Sequence, residues 1–533
     1  MPVVKDWDSA KSQAEHLHPQ IYKSETDKRE YRTIRLPNGL EALLISCEHL
    51  TTSSSQENKA ACSLCLDVGE FSNPPEILNI TYFLTMEYMY FQKPEIRSEE
   101  CITFKNFIHD HDGTTHVTVE NEHTIFYFDI KENNLFLALH KFGLFFINPI
   151  MPKYIFMENL NALKTEFQVE FKSRIRYEQI LYFSAQTGHP VNMCSEDNLT
   201  EIINNTDYDK LYDMMDRFKK RHYSAHRMKL AIRSGLSLDT MEKFVKACFV
   251  HVPNNRMPPD NFSKFKKNLP FDISAFRKMY KVNDNTEHLT RLQITWALPS
   301  FSDFYKCNSY QYIPWIIGYK GKGSLISYLR QKMWSPISDN NMFYCEIQQN
   351  SIYSLLQLII PLTSKGQKHL EDKVEPWQQT AFTDIEIPKE WIERWKVIEP
   401  LLEFYLLPNI FLTKLYLRAL KTPNEKIEKY PVKLYSNSLS EIWYRPDFKH
   451  CLPKCCMHFY FISPLKLQPL KNRVLMDMYC RLLEQLLAEE LYPAIQIGFK
   501  YNIIVNNNGF TLKISGPNKT LPVSIRLKCA LEL

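Results

Sequence analysis

Histidine and aspartate side chains are concentrated in one short stretch, IHDHDGTTH. It contains His109, His111 and His116 together with Asp110 and Asp112. Imidazole and carboxylate groups are metal ligands, so this spacing could form a metal cluster. The preceding residues favour a short helix that ends in a turn at the Asp-Gly pair, where the histidines are simply solvated. Both interpretations stay open at this point.

Two cysteines, Cys62 and Cys65, form a C-x-x-C motif. Such a motif could bind zinc or undergo redox exchange. No second cysteine pair follows at zinc-ribbon spacing, and the context is not thioredoxin-like. The alternation in AACSLCLDVG predicts a structural strand instead, with a metal or redox site as the alternative.

The stretch GYKGKGSL, residues 318–325, has the glycine content of a phosphate-binding loop. It lacks the Walker spacing and the final lysine followed by serine or threonine. We interpret it as a turn between two helical pieces, made basic by Lys320 and Lys322.

The composition is that of an ordinary soluble globular protein. The chain has 533 residues, a formal net charge of +5, 44% hydrophobic residues and 23% charged residues, so we expect two to four domains. The small basic excess predicts no nucleic-acid partner, and the absence of any apolar run of about 18 residues predicts no membrane span. The 13 cysteines lack a regular framework and no secretory signal precedes them, which predicts reduced thiols and a cytoplasmic location.

The elements that must position these residues alternate between strands and helices. Apolar periodicity over the first 185 residues predicts two strands, two helices, two strands, a helix and a long helix. Similar strand–helix–strand units recur further along, which suggests internal duplication. The predicted fold class is α+β, with repeated two-layer domains of helices packed on largely antiparallel sheets.

Long phrases of the chain resemble, in order, the insulysin and nardilysin branch of the pitrilysin-type zinc metallopeptidases. LPNGLEALLIS, DVGEFSNPPE, NEHTIFYFDI and ALHKFGLFFINPIM are similar to the family's first domain. HYSAHRMKLAI and LPSFSDFYKCNSYQYIPWIIGYKGKGSLISYLRQKMW are similar to the second, and IWYRPDFKHCLPKCCMHFYFISPLKLQPL to the third. The resemblance implies a metallopeptidase-like fold that comprises the first half of a clamshell and part of the second.

The resemblance also sets the predicted domain boundaries. They are an N-terminal extension at 1–30, a first peptidase-like domain at 31–220, a shortened second domain at 221–375, an irregular linker at 376–435 and a partial third domain with a divergent tail at 436–533.

The family's metal site is an H-x-x-E-H motif on a helix, completed by a glutamate from a later helix. In the corresponding helix, ILNITYFLTMEYMY, Tyr82 and Met86 occupy the two histidine positions. Thr85 occupies the position of the general base, and Glu166 is the only retained ligand position. The resemblance therefore implies a degenerate zinc helix.

These replacements change the donor chemistry. A catalytic zinc ion takes three imidazole, thiolate or carboxylate ligands plus water. A phenol ionises only near pH ~10, a thioether suits copper(I), and the Thr85 hydroxyl is no base at neutral pH. We expect no bound zinc, no other cofactor and no catalytic residue. The alternative is an active zinc metalloendopeptidase that cleaves small peptides and uses zinc.

One family feature is retained in altered form. Where the family has an edge strand that pairs with the substrate backbone, this chain has Gly113, Thr114, Thr115, His116 and Val117. Main-chain hydrogen bonds do not depend on the side chains, so a peptide could still add to this edge. We predict a peptide-binding edge at these five residues.

The resemblance further implies a shortened member of the family, because relatives are about twice as long and have a fourth domain. Uncovered apolar faces predict a partner, either a peptide or a full-length relative. The leading interpretation is a truncated homologue that looks catalytically inactive. A decaying gene copy without a function is a further alternative.

Overall fold

The computed structural model describes much of the chain in separate ranges. These are 14–17, 21–23, 27–47, 59–74, 80–90, 103–147, 153, 185–186, 188–193, 208–266, 270–271, 278–282, 290–304, 308–336, 342–371, 382–386, 430–445, 454–462 and 470–517. Every structural statement below concerns these residues.

In the described residues four strands, rather than the predicted two, precede the first helix. The next elements are two helices, two strands and a helix, as predicted, and the predicted long helix lies outside the described residues. The strands are β1 Glu15–Leu17, β2 Glu30–Arg35, β3 Glu41–Ser46, β4 Lys59–Leu66, β5 Thr114–Val119, β6 Thr124–Lys131, β7 Met228–Ser234, β8 Lys278–Val282, β9 Arg291–Pro299, β10 Tyr344–Gln349, β11 Tyr353–Pro361, β12 Phe382–Glu386, β13 Val432–Ser436, β14 Glu441–Tyr444, β15 Lys454–Ile462, β16 Lys500–Asn506 and β17 Gly509–Pro517. The helices are α1 Ile80–Tyr90, α2 Phe104–Asp110, α3 Leu135–Ile147, α4 Tyr208–His222, α5 Leu238–Phe249, α6 Tyr312–Ile317, α7 Leu325–Gln331, α8 Ser364–Glu371, α9 Leu470–Glu490 and α10 Tyr492–Gln496. None of these helices is both long enough and apolar enough to cross a bilayer.

The first sheet has seven strands in the order β1-β2-β3-β7-β4-β6-β5. All neighbours are antiparallel except the β3–β7 pair, which is parallel. Alternate residues of β4, such as Cys62 and Leu64, are buried because successive strand side chains point to opposite faces. Helices α1 to α5 contribute side chains to the core that covers this face. The sheet is therefore one layer of a two-layer unit, as the fold class predicts.

A second sheet, β10-β11-β9, and a third, β15-β17-β16, are fully antiparallel. The central strand β11 is buried along its whole length, as its mostly apolar sequence YSLLQLIIP predicts. Helix α9 packs on the third sheet, where the Glu484 carboxylate accepts a hydrogen bond from the backbone N–H of Ile503 at 3.3 Å. The α+β class is confirmed for all three units.

The units touch at specific side chains. The ring centroids of Phe71, after β4, and Phe262 are 5.5 Å apart. The backbone N–H of Ser351 donates to the carboxylate of Glu122 at 2.7 Å, and the Ser351 hydroxyl donates to the same group. These contacts fix the β5–β6 hairpin against the β10–β11 turn.

Two strand pairings cross the predicted domain boundaries. Strand β7, which follows the predicted boundary at residue 220, lies in the middle of the first sheet. Strand β12 lies inside the predicted linker and pairs antiparallel with β8. Strand pairing is a non-local property that composition does not reveal.

Candidate functional site

Helix α1, to which the sequence resemblance assigns the altered zinc motif, is held at its start by Asn73. The Asn73 side-chain oxygen accepts hydrogen bonds from the backbone N–H of Thr81 at 3.3 Å and from its hydroxyl at 3.1 Å. Ile80, Phe83 and Leu84 are buried in the core of the first unit. The helix contacts α2, α4 and the edge strand β5. The fold therefore places the motif beside the predicted peptide-binding edge.

Two of the motif positions on α1, Tyr82 and Thr85, pack against neighbouring residues. Thr85 is only 4% exposed, and its hydroxyl donates a hydrogen bond to the Tyr82 carbonyl at 2.7 Å. The Tyr82 side chain packs, half-buried, against the core. Met86 lies in the helix but its side chain is outside the described residues, as is Glu166 altogether.

This donor set does not fit a zinc ion. Zinc takes imidazole, thiolate or carboxylate donors, whereas Tyr82, Thr85 and Met86 offer a phenol, a hydroxyl and a thioether. The single hydrogen of the Thr85 hydroxyl is already donated within the helix, and a hydroxyl has no basicity with which to activate water. The Thr85 hydroxyl is therefore not a general base in this arrangement.

Strand β5 is the free edge of the first sheet. It pairs with β6 on one side, and no strand in the described part of the chain pairs with its other side. Its sequence, TTHVTV, contains no lysine or proline, and its pairing with β6 has no register shift. Natural edge strands usually carry such features to prevent pairing, and in the described part of the chain β5 lacks them.

Gly113 and Asp129 anchor the start of β5. A Cβ at Gly113 would lie 2.2 Å from the Asp129 carbonyl oxygen, so only glycine fits this approach. The Asp129 carboxylate accepts hydrogen bonds from the backbone N–H and the hydroxyl of Thr114. Partial burial raises the pKa of Asp129, but these bonds and Lys59 outweigh it and hold the pKa below its ordinary value. The aspartate thus stays ionised as a structural anchor.

The two faces of β5 differ. Val117 packs against the core, on the side of the buried Phe126 and Phe128. His116 lies on the opposite, exposed face, and its ring centroid is 5.3 Å from that of Tyr127. A strand added to the edge would meet apolar groups on one face and this aromatic pair on the other.

The side chains of the histidine and aspartate stretch have separate partners. The side chain of His109 is 87% exposed, while Nδ1 of His111 donates to the Phe107 carbonyl at 2.7 Å. Asp112 pairs with Lys131 at 2.7 Å, and this hydrogen-bonded ion pair lowers the pKa of the carboxyl. No group of three histidine, cysteine or acidic side chains among the described residues could hold a metal ion.

The C-x-x-C pair also separates. Residues three apart on a strand point to opposite faces, so Cys62 lies in the core and Cys65 does not. Burial raises the pKa of both thiols. Neither forms the thiolate that a metal or redox site requires.

The glycine-rich turn between α6 and α7 contacts the third unit. Gly323 has a positive φ of 78°, which suits a tight turn. Lys322 lies 3.6 Å from the Glu490 carboxylate, and the Ser327 hydroxyl donates to Glu489 at 2.8 Å. The turn and the start of α7 thus contact the end of α9, which agrees with the interpretation of this segment as a turn between two helices.

Sequence analysis did not identify three residues that lie near this edge. Tyr127 and Asp129 belong to β6 and meet β5 only through the register of that pair. Glu122 meets Ser351 across 229 residues of chain. For Tyr127 and Asp129, the only indication in the sequence was the predicted strand pair. No local sequence pattern indicates the contact of Glu122.

Family models match the chain over most of its length. The model described as "Insulinase (Peptidase family M16)" matches residues 49–218, and "Peptidase M16 inactive domain" matches residues 210–380. The "Middle or third domain of peptidase_M16" matches residues 352–527.

Curated proteins similar to the chain carry the names nardilysin and insulin-degrading enzyme. Nardilysin of Mus musculus is 26% identical over 88% of this chain and 49% of its own length. Insulin-degrading enzyme-like 2 of Arabidopsis thaliana is 25% identical over 95% of this chain and 61% of its own length. Insulin-degrading enzyme of Homo sapiens is 23% identical over 95% of this chain and 58% of its own length. The chain spans about half to three fifths of the length of these relatives.

Among solved structures, that of pitrilysin superposes with a TM-score of 0.68 at 16% identity. The match covers 96% of this chain and 63% of pitrilysin. At this identity the likeness concerns the fold.

Proposed function

We propose that this chain binds extended peptides without cleaving them. It belongs to the pitrilysin-type M16 family and to its insulysin and nardilysin branch. The peptide would add as a strand to the outer side of β5. The protein would then act as a non-catalytic member of a metallopeptidase family.

The observation that carries this proposal is the state of Thr85. It is buried and its hydroxyl is bonded to the Tyr82 carbonyl, at the position of the general base. A hydroxyl so placed neither accepts a proton from water nor contacts solvent. The chemistry of Tyr82 and Met86 supports the further proposal that α1 holds no zinc.

Peptide binding is supported by the open edge of β5. Alternate backbone N–H and C=O groups of an edge strand point away from its partner, and a peptide can satisfy them. Peptide residues on one face would meet Val117 and the core side, and those on the other would meet His116 and Tyr127. We expect a preference for apolar or aromatic residues at alternate positions.

The partner and the location are part of the same proposal. A free peptide is the partner that the edge favours, and a full-length relative would use the same edge or an uncovered apolar face. Every cysteine in the described ranges is a free thiol, which supports a cytoplasmic location.

The decisive experiment measures zinc by elemental analysis and cleavage of a quenched fluorescent peptide with and without chelator. We expect less than stoichiometric zinc and no chelator-sensitive cleavage, together with binding of an unmodified peptide by fluorescence polarisation. Stoichiometric zinc with chelator-sensitive cleavage would establish the alternative of an active zinc metalloendopeptidase.

The same preparation tests the alternative of a non-functional gene copy. A peptide-binding protein should unfold in a cooperative transition that shifts upward when peptide is added. A broad, peptide-independent transition would contradict the proposal.

A further inference from the structure

The third sheet has one covered face and one exposed face. Met457 and Phe459 of β15 pack with Leu487 of α9 on the covered face. Successive side chains of a strand point to opposite faces, so His458 and Tyr460 lie on the other face, where Tyr460 is 63% exposed. We call this second face the open face. The side chains used below are those of Lys454, His458, Tyr460, Lys500, Asn502 and Lys513.

The open face carries cations and no carboxylate. Lys454, Lys500 and Lys513 are exposed, and none of them forms an ion pair within the described residues. The acidic residues in the described ranges 454–462 and 470–517 all belong to α9; they are Asp477, Glu484, Glu489 and Glu490. Since α9 packs on the covered face, the charges of the third unit are segregated and the potential over the open face is positive.

Lys513 is at the centre of the open face. The register of the sheet places it between His458 and Asn502. Lys500 is the diagonal neighbour of Lys513, because it pairs with Ser515, two residues further along β17. Diagonal neighbours on a sheet are ~7–8 Å apart, and alternate residues of an extended peptide are ~6.6–6.8 Å apart. Carboxylates at alternate positions of an extended segment therefore match the two ammonium groups.

The neighbouring side chains add hydrogen-bond donors to the same face. A lysine ammonium donates but cannot accept, a phenol carries one O–H, and a carboxamide carries two N–H groups. Neither the Tyr460 phenol nor the Asn502 side chain is bonded to another described residue. A surface with several free donors and no carboxylate suits a ligand rich in acceptor oxygens.

We propose that the open face binds an extended, acidic segment of a partner protein, with carboxylates at alternate positions over Lys500 and Lys513. The formal net charge of the whole chain is only +5, which argues against a nucleic acid as the occupant. The open face belongs to the third unit and β5 to the first, so this inference does not rest on the proposed function.

Fluorescence polarisation with two labelled eight-residue peptides tests the charge requirement. In one peptide glutamate alternates with alanine, and in the other glutamine replaces every glutamate. The glutamate peptide should bind the full chain, and its affinity should fall several-fold between about 0.05 and 0.5 M salt because salt screens exposed charges. Equal binding of the glutamine peptide, or an affinity that does not depend on salt, would overturn the proposal. Tighter binding of a single-stranded oligouridylate of eight nucleotides would overturn the choice of a peptide.

Lysine substitutions locate the site. Lys500→Gln combined with Lys513→Gln should weaken binding of the glutamate peptide about fivefold or more, while Lys500→Arg with Lys513→Arg, which keeps both charges, should retain it. Lys471→Gln with Arg473→Gln is the matched control, because it removes the same charge from exposed positions of α9. None of these variants should alter binding of an apolar peptide at β5. An equal loss in the α9 control, or unchanged binding after the first pair of substitutions, would refute the site.

Protection from acetylation tests the site without any substitution. An amine-reactive acetylating reagent is added to the unaltered chain with and without the glutamate peptide, and mass spectrometry gives the rate of modification of each lysine. The peptide should slow the modification of Lys500 and Lys513 several-fold and leave that of Lys471 unchanged. Equal rates with and without the peptide at Lys500 and Lys513 would exclude binding at the open face.

Discussion

Thr81 and Thr85 are two buried threonines of α1 whose hydroxyls have different partners. The Thr85 hydroxyl donates to a carbonyl of its own helix, and such back-bonding adds little to helix stability. The Thr81 hydroxyl donates to Asn73, which holds the start of the helix. The hydroxyl of Thr85 therefore contributes less to the stability of the fold than the hydroxyl of Thr81.

This difference gives a matched pair of substitutions. Thr85→Val should change the free energy of unfolding by less than about 0.5 kcal/mol, whereas Thr81→Val should cost about 1 kcal/mol, because it removes a hydrogen bond to a buried partner. Chemical denaturation of the two variants measures both values. A Thr85→Val cost larger than that of Thr81→Val would give the Thr85 hydroxyl a stabilising role that this structure does not provide.

Gly113 is required by close approach rather than by its own torsion. Its missing Cβ leaves room for the Asp129 carbonyl oxygen and for Ile108. Gly113→Ala should cost ~2 kcal/mol or more, since backbone must move. Gly188→Ala is the comparison: Gly188 has a positive φ of 84° and open space around it, so its substitution should cost only about 1–2 kcal/mol. Thermal unfolding compares them, and an equal or smaller loss at Gly113 would contradict the close approach.

At the residue scale, the sequence predicts the chemistry of a side chain better than it predicts which residues that side chain contacts. The donor types at Tyr82 and Thr85, and the glycine-rich turn near Lys322, were interpretable without coordinates. The separation of the two C-x-x-C cysteines follows from the strand conformation, in which Cys62 and Cys65 point to opposite faces. The contact of Glu122 with Ser351 depends on how two units meet, so no local pattern predicts it.

Strand β5 is the element on which peptide binding depends, and proline can test it. Neighbouring backbone N–H groups of a strand point to opposite sides, so one of His116 and Val117 donates towards β6 and the other away from it. Proline removes one donor at either place. One of His116→Pro and Val117→Pro should therefore lower the melting temperature strongly, while the other should mainly abolish peptide binding.

Fluorescence polarisation and thermal unfolding together separate the two outcomes. His116→Ala is the control, and it should retain most of the affinity because main-chain bonds carry the interaction. A peptide methylated at alternate backbone amides should bind more weakly than its unmodified form. Unchanged binding by both proline variants and by the methylated peptide would exclude strand addition at β5.

At the element scale, local periodicity is enough for strands and helices but not for their assignment to sheets. The alternation in β4 and the mostly apolar stretch in β11 predict these strands directly. The position of β7 between β3 and β4 follows from a parallel pairing across some 190 residues of chain. The pairing of β12 with β8 likewise joins segments that are far apart in sequence.

At the scale of the whole molecule, the units are joined by a few polar and aromatic contacts. Glu122 and Ser351 join the first unit to the second, and Ser327 and Glu489 join the second to the third. Tyr319 and Tyr492 add an edge-on ring contact at 5.0 Å across the second joint. None of the residues in these contacts belongs to strand β5.

Two buried histidines make the stability of the whole chain sensitive to acid. Burial lowers the pKa of His189 to about 4, and burial also lowers the pKa of His222, against the opposing effect of Asp260. Both pKa values are below that of an imidazole in the unfolded chain, near 6.5. The unfolded state therefore binds protons first as the pH falls, so stability is present above pH ~6.5 and is lost between there and pH ~4.

Urea unfolding at a series of pH values measures this loss, which should be on the order of 2 kcal/mol for each histidine. In His189→Asn the amide oxygen can replace Nδ1 as the acceptor for the Val191 N–H, which lies at 3.1 Å. This variant should lose less stability between pH ~6.5 and ~4 than the unaltered chain. His109→Asn is the control, because that side chain is 87% exposed, and it should leave the pH dependence unchanged. A pH profile that is flat down to ~4, or that is equally changed by both variants, would show that burial of His189 does not couple folding to protonation.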